Sequence, residues 1–109
     1  SGGSTQISWK EKKELLQRLR AEARPLRKNA EELEKRMNAA SARLEEIETA
    51  LSDSGIYDAS RKEELSALLR EQGELSKASE KVEAEWLEAS EKLEEAESRI
   101  KEAENASSF

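Results

Sequence analysis

Lys10, Lys12, Lys13, Arg18, Arg20, Arg24, Arg27 and Lys28 crowd into residues 10–28, with only three Glu among them, a local net charge of +5. The chemistry open to such a stretch is electrostatic. Lysine and arginine side chains displace the counterions condensed on a phosphate backbone, so these eight residues are candidates for nucleic-acid binding. Two facts weigh against that use. The whole chain carries a net charge of −6, which repels polyanions, and residues 88–106 carry seven Glu against three Lys/Arg, net −4. The basic stretch could therefore be neutralised inside the molecule.

A second candidate is Ile56, Tyr57, Arg61 and Lys62, an apolar pair beside two positive charges. The same residues could equally fold back over Leu51 and Leu65. Catalytic chemistry finds no footing. No cysteine or histidine is present, so disulfides, thiolate or imidazole metal sites and His-based constellations are excluded. There is no G-x-x-x-x-G-K-[ST] phosphate loop and no G-x-S-x-G elbow. Glutamates are abundant, but on exposed helix faces they remain solvated or pair with Lys and Arg four residues away, and nothing desolvates Glu94 and Glu95. The fragment is expected not to be an enzyme and to hold neither metal nor cofactor.

Charged residues make up 40% of the 109 residues and hydrophobic ones 35%, with 4% aromatic, four glycines and one proline. Disorder competes with long helices for such a composition, and periodicity separates the two. Alternate steps of three and four from Leu16 visit Leu19, Ala23, Leu26, Ala30, Leu33, Met37, Ala40, Leu44, Ile47 and Leu51, all apolar. The same phase extended backwards reaches Trp9, which is expected to pack against the end of a second helix. That helix shows in the walk Leu65, Leu68, Gln72, Leu75, Ser79, Val82, Trp86, Ala89, Leu93, Ala96, Ile100 and Ala103, ten of twelve apolar. Two such heptad seams predict two long helices.

The interior turn residues cluster in Ser52–Ser60. Gly55 is expected to be left-handed after the first helix, and Ser60-Arg61-Lys62-Glu63 to form a capping box. So short a connection makes the helices antiparallel neighbours. The expected fold is all-α, two long helices forming an intramolecular antiparallel coiled-coil hairpin. Its parts are a flexible linker or cloning scar over 1–8, a helix over 9–52, a turn over 53–60, a helix over 61–105 and a frayed end over 106–109. Helices of roughly 44 residues give a rod on the order of 65 Å. Setting Leu51 against Leu65 makes facing residue numbers add to about 116, so that Ala30 meets Trp86, Met37 meets Ser79, Ala40 meets Leu75 and Ala23 meets Leu93, large against small. The basic and acidic stretches then face each other at the base. Pro25 removes a bond to the Ala21 carbonyl and is expected to kink the first helix or alter its winding. Gly73 weakens the second helix, and Gln72 and Ser79 set register within the seam. The closed turn predicts a monomer rather than an arm-exchanged dimer.

Pro25-Leu26-Arg27-Lys28, the loop Asp53-Ser54-Gly55-Ile56-Tyr57-Asp58-Ala59-Ser60-Arg61-Lys62 and Trp86-Leu87-Glu88-Ala89 together resemble the C-terminal domain of ABC-F ATPases, most closely the YheS branch. Ser8-Trp9-Lys10-Glu11-Lys12-Lys13-Glu14-Leu15 is also similar to the opening of that domain in the related Uup branch. The resemblance covers nearly all of the chain after the first residues. It implies a helical-hairpin accessory arm of a protein with two ATP-binding cassettes, using ATP and Mg²⁺ in those cassettes and acting on ribosomes during translation. The partners implied are the ribosome or nucleic acid, with DNA binding associated with the Uup branch, and the protein's own ATPase domains. Neither cassette lies in this sequence, so no ATP-binding residue is carried over. The alternative is a purely structural or protein-binding coiled-coil spacer. No apolar run approaches the roughly 20 residues that span a bilayer, and no signal-peptide segment opens the chain, which points to a cytoplasmic protein without membrane contact.

Overall fold

A computed structural model describes residues 6–109; Ser1–Thr5, the greater part of the expected linker, lie outside the described residues. The protein is all-α: helix α1 spans Trp9–Ser52 and helix α2 spans Lys62–Glu104, joined through two 3-10 turns at Ser54–Tyr57 and Ala59–Arg61. It forms a helical hairpin whose described chain divides into two compact units, a terminal unit of residues 6–31 with 87–109 and a turn unit of Glu32–Trp86.

Every position of the α1 walk from Leu16 to Leu51 is buried or half-buried, and so is every position of the α2 walk from Leu65 to Ala103. The 3-4 spacing thus does what its geometry requires, placing one stripe of each helix against the other. The fully enclosed members are mostly small: Ala23, Ala30, Ala89, Ala96 and Ala103, with Leu33, Ile47 and Ile56. Apart from Leu33 and Ile47, the bigger seam residues keep part of their surface in water. Gln72 and Ser79 sit half-buried in the seam, where solvent reaches their polar groups.

Ion pairs across the seam set the register. With Leu16 and Leu65 as heptad a positions, Arg20–Glu104 at 3.1 Å and Arg27–Glu97 at 3.7 Å are e–e′ pairs in the terminal unit. In the turn unit Arg43 pairs with Glu71 as g–g′, its Nε and Nη2 each donating at 2.7 Å. In an antiparallel pair these flank layers of a against d′, with residue numbers adding to about 119 rather than the expected 116. Ala23 is then level with Ala96 in the terminal unit, not with Leu93. In the turn unit Met37 is level with Val82 and Ala40 with Ser79. The periodicity alone allows a–a′ or a–d′ alignment, and the e and g charges choose the second.

The turn is built from two capped 3-10 turns rather than a left-handed glycine and a capping box. Asp53 accepts from the Gly55 amide at 3.1 Å and Asp58 from the Ser60 amide at 3.4 Å, each capping one 3-10 turn. Gly55 therefore lies inside a 3-10 turn and not in the left-handed region. Ser60 is held in the second turn, and the capping box expected there is not formed; Arg61 turns its guanidinium onto Glu64 instead, at 2.9 and 3.0 Å. The serine–glutamate cap occurs at the other end of the molecule. Ser8 Oγ accepts from the Glu11 amide at 3.1 Å and donates to the Glu11 carboxylate at 2.9 Å, which starts α1.

The last residues are bonded rather than frayed. Ile7 N–H donates to the Ser107 carbonyl, Phe109 N–H to the Ile7 carbonyl and Trp9 N–H to the Phe109 main-chain oxygen, making a parallel bridge between Ile7 and Ser108. Lys12 reaches across to donate to the Glu104 and Ala106 carbonyls at 2.8 and 2.9 Å, satisfying acceptors that the end of α2 leaves open. Pro25 is exposed, and α1 continues through it as a single α-helix because the carbonyl it leaves without a partner, on Ala21, belongs to an exposed residue open to water.

Candidate nucleic-acid interface

The eight cations of residues 10–28 all ride on α1 in the terminal unit, but heptad position separates them. Arg20 and Arg27 occupy e positions at the edge of the seam and are committed to Glu104 and Glu97. Lys12 is in the seam itself, half-buried over the end of α2. Internal neutralisation holds for the two arginines, while Lys12 is engaged by main-chain carbonyls. Lys10, Arg18, Arg24 and Lys28 fall on b, c and f positions outside the seam, Arg24 next to its e-position edge. They are exposed and, among the described residues, have no ion-pair partner. Lys13 stands with its ammonium 5.3 Å from the centre of the Trp9 ring.

Arg20, Arg24 and Arg27 are one turn apart on the same side of α1. With Glu97 and Ile100 of α2 they line an open surface depression of about 350 Å³. Arg24 sits between two arginines that each have a glutamate, and its own charge is left uncancelled. The depression can accept an anion at Arg24 without breaking either flanking pair.

The four residues of the turn do not act as one site. Ile56 is fully buried and closes the seam. Arg61 is half-buried and held by Glu64, with Asp53 at 3.7 Å. Tyr57 is 61% exposed, but its hydroxyl donates to the Leu51 carbonyl at 2.8 Å, so the ring is pinned in place. Lys62 is exposed and, among the described residues, without an ion-pair partner. Folding back over the seam thus describes Ile56, while Tyr57 is pinned yet open to solvent.

The ion pairs of the turn unit shift the titration of their members. Hydrogen bonds from Arg43 hold the Glu71 carboxyl below the ordinary glutamate range, and those from Arg61 do the same for Glu64. The guanidiniums of Arg43 and Arg61 are raised in return, chiefly by hydrogen bonds to Glu71 and Glu64. These pairs serve structure, since each carboxylate is locked to its arginine. Among the described residues no group of acidic side chains is arranged to hold a metal ion, and no helix is long and apolar enough to cross a membrane.

Trp9 was the residue least anticipated. Seam phase predicts burial, yet its side chain is 63% exposed. The reason lies in the register: α2 ends at Glu104, so no turn of the partner helix stands opposite Trp9. The end of α2 falls within one residue of the expected 105, and the apolar stripe of α1 does not report that its partner stops short of Trp9. Compared with known family profiles, curated proteins and solved structures, the chain matches none.

Proposed function

We propose that this chain is a non-catalytic accessory arm of an ABC-F-type ATPase acting on the ribosome or on translation, and that it meets nucleic-acid phosphates on the outward surface of α1. The attachment to that family rests on the loop, proline and tryptophan motifs quoted above. The contact rests on one observation: in a chain of net charge −6, Lys10, Arg18, Arg24 and Lys28 stay exposed and unpaired among the described residues. Acidic partners on α2 absorb the e-position arginines and leave these four available, so the molecule is acidic overall and cationic along one surface. A spacer with no ligand is the second reading, favoured by the share of the basic stretch that Glu97, Glu104 and the end of α2 already take up.

Binding of labelled RNA and DNA, and co-sedimentation with ribosomes, across a salt series separates the two. Four phosphate contacts give a slope of log affinity against log salt of about −3 to −4. Simultaneous Lys10→Glu, Arg18→Glu, Arg24→Glu and Lys28→Glu is expected to abolish binding while the helical circular dichroism stays unchanged, since none of the four bonds to α2. Tyr57→Ala with Lys62→Glu is expected to leave binding intact. Binding that survives the fourfold reversal removes the phosphate reading, and loss on changing Tyr57 and Lys62 alone moves the contact to the turn.

A further inference from the structure

The geometry points to Trp9 as a stacking platform for an unpaired base, at the end of the line of cations on α1. This rests on the phosphate reading above and specifies its ligand: a nucleic-acid strand with at least one unstacked base, rather than an uninterrupted duplex. Trp9 is 63% exposed in a position where the seam offers it no partner. Its backbone is nonetheless fixed from both sides. It opens α1 directly after the Ser8–Glu11 cap, and its N–H donates to the Phe109 main-chain oxygen at 2.8 Å. The indole is therefore presented at little cost in ordering, as a stacking surface requires.

Its surroundings select an anionic, planar occupant. The Lys13 ammonium lies 5.3 Å from the ring centroid over one face, leaving the remaining exposed surface to a second planar group. Lys10, the next residue, is exposed, and from there Lys10, Lys13, Gln17, Arg20, Arg24 and Arg27 recur at alternate spacings of three and four along the same side of α1. The Glu11 carboxylate is turned onto the Ser8 hydroxyl, and the Phe109 main-chain oxygen is occupied by the Trp9 N–H itself. A base on Trp9 places its own phosphate among Lys10 and Lys13 and the following phosphates toward Arg24. Two lysines beside one exposed indole suit a nucleotide better than an apolar peptide, which would have to desolvate both ammonium groups.

The test uses the whole chain, with Trp9→Phe as the reference that isolates Trp9 emission from that of Trp86. Single-stranded oligoadenylate is expected to quench Trp9 saturably, and a blunt duplex of equal length to quench it less. Trp9→Ala should weaken single-strand binding about 5- to 150-fold, the range for loss of one base–aromatic stack. Its salt slope should not change, and Trp9→Phe should retain part of the affinity. Unchanged affinity of Trp9→Ala, or unchanged Trp9 emission while Arg24→Glu still weakens binding, overturns the stacking role and leaves the phosphate reading standing. Binding insensitive to both substitutions overturns both. Trp9 emission that shifts with protein concentration alone marks a contact between copies and also overturns the assignment.

Discussion

Lys12 and Arg24 are both cations of the same basic stretch, twelve residues apart, and their fates are opposite. Lys12 is spent on the carbonyls of Glu104 and Ala106, whereas Arg24 keeps its charge exposed between two neutralised arginines. The two described glycines differ in their surroundings. Gly73 is exposed in the middle of α2, and a Cβ there would meet nothing within 4 Å. Gly73→Ala is expected to raise stability by about 1 kcal/mol, read from urea denaturation, because it removes backbone freedom from the unfolded chain at no steric cost. A Cβ on Gly55 would rest 3.4 Å from the Arg61 guanidinium and 3.5 Å from the Asp53 carboxylate, ordinary contact distances. The same unfolded-chain effect acts there, so Gly55→Ala should also stabilise, by about 0.4–1 kcal/mol. Turn chemistry is where local sequence misleads: Ser60-x-x-Glu63 and Ser8-x-x-Glu11 carry the same signature, but only Ser8 precedes a helix without a 3-10 turn intervening.

At the level of the elements, both helices were legible because a 3-4 stripe sustained over more than thirty residues admits no strand and leaves disorder without a reason for the pattern. Their alignment was not legible to the same depth. Apolar seams slide in steps that keep apolar residues facing, and only the e–e′ and g–g′ pairs reject the wrong step. Arg43 and Glu71 are the strongest of these, and they give the turn unit a pH dependence. The Glu71 carboxyl is lowered in the fold from its ordinary value of 4.5 by the Arg43 hydrogen bonds. A carboxylate lowered on folding supports the fold above its ordinary pKa and loses that support as the pH falls through its folded-state value. Glu71→Gln should therefore melt below the unaltered protein at pH 7, and the gap should close as melting is followed down through pH 4 and below. A gap that stays constant with pH would show that Glu71 acts through packing instead.

For the whole molecule, the balance lies between a narrow apolar seam and a surplus of negative charge. Acidic excess discourages association of copies, and the closed 3-10 turns remove the slack that arm exchange needs. Light scattering is expected to give the monomer mass of 12.3 kDa across the micromolar range. A mass of twice that value would mean that the seam is completed by a second chain. The functional surface was half legible. The basic stretch stands out in the sequence, but which of its members remain uncancelled depends on where Glu97, Glu104 and the last carbonyls of α2 fall, and that is decided only by folding. The parallel bridge between Ile7 and Ser108 also has a mechanical meaning. Tension between those two residues is borne first by a few main-chain bonds and the Lys12 staple, in sequence rather than in concert, so the terminal unit should open like a zipper. Pulling through residues 7 and 108 in an optical trap is expected to show yielding at low force, with Lys12→Ala lowering it further. A load that pressed the strands together would find no such weak point, which makes the hairpin soft to separation and stiff to thrust.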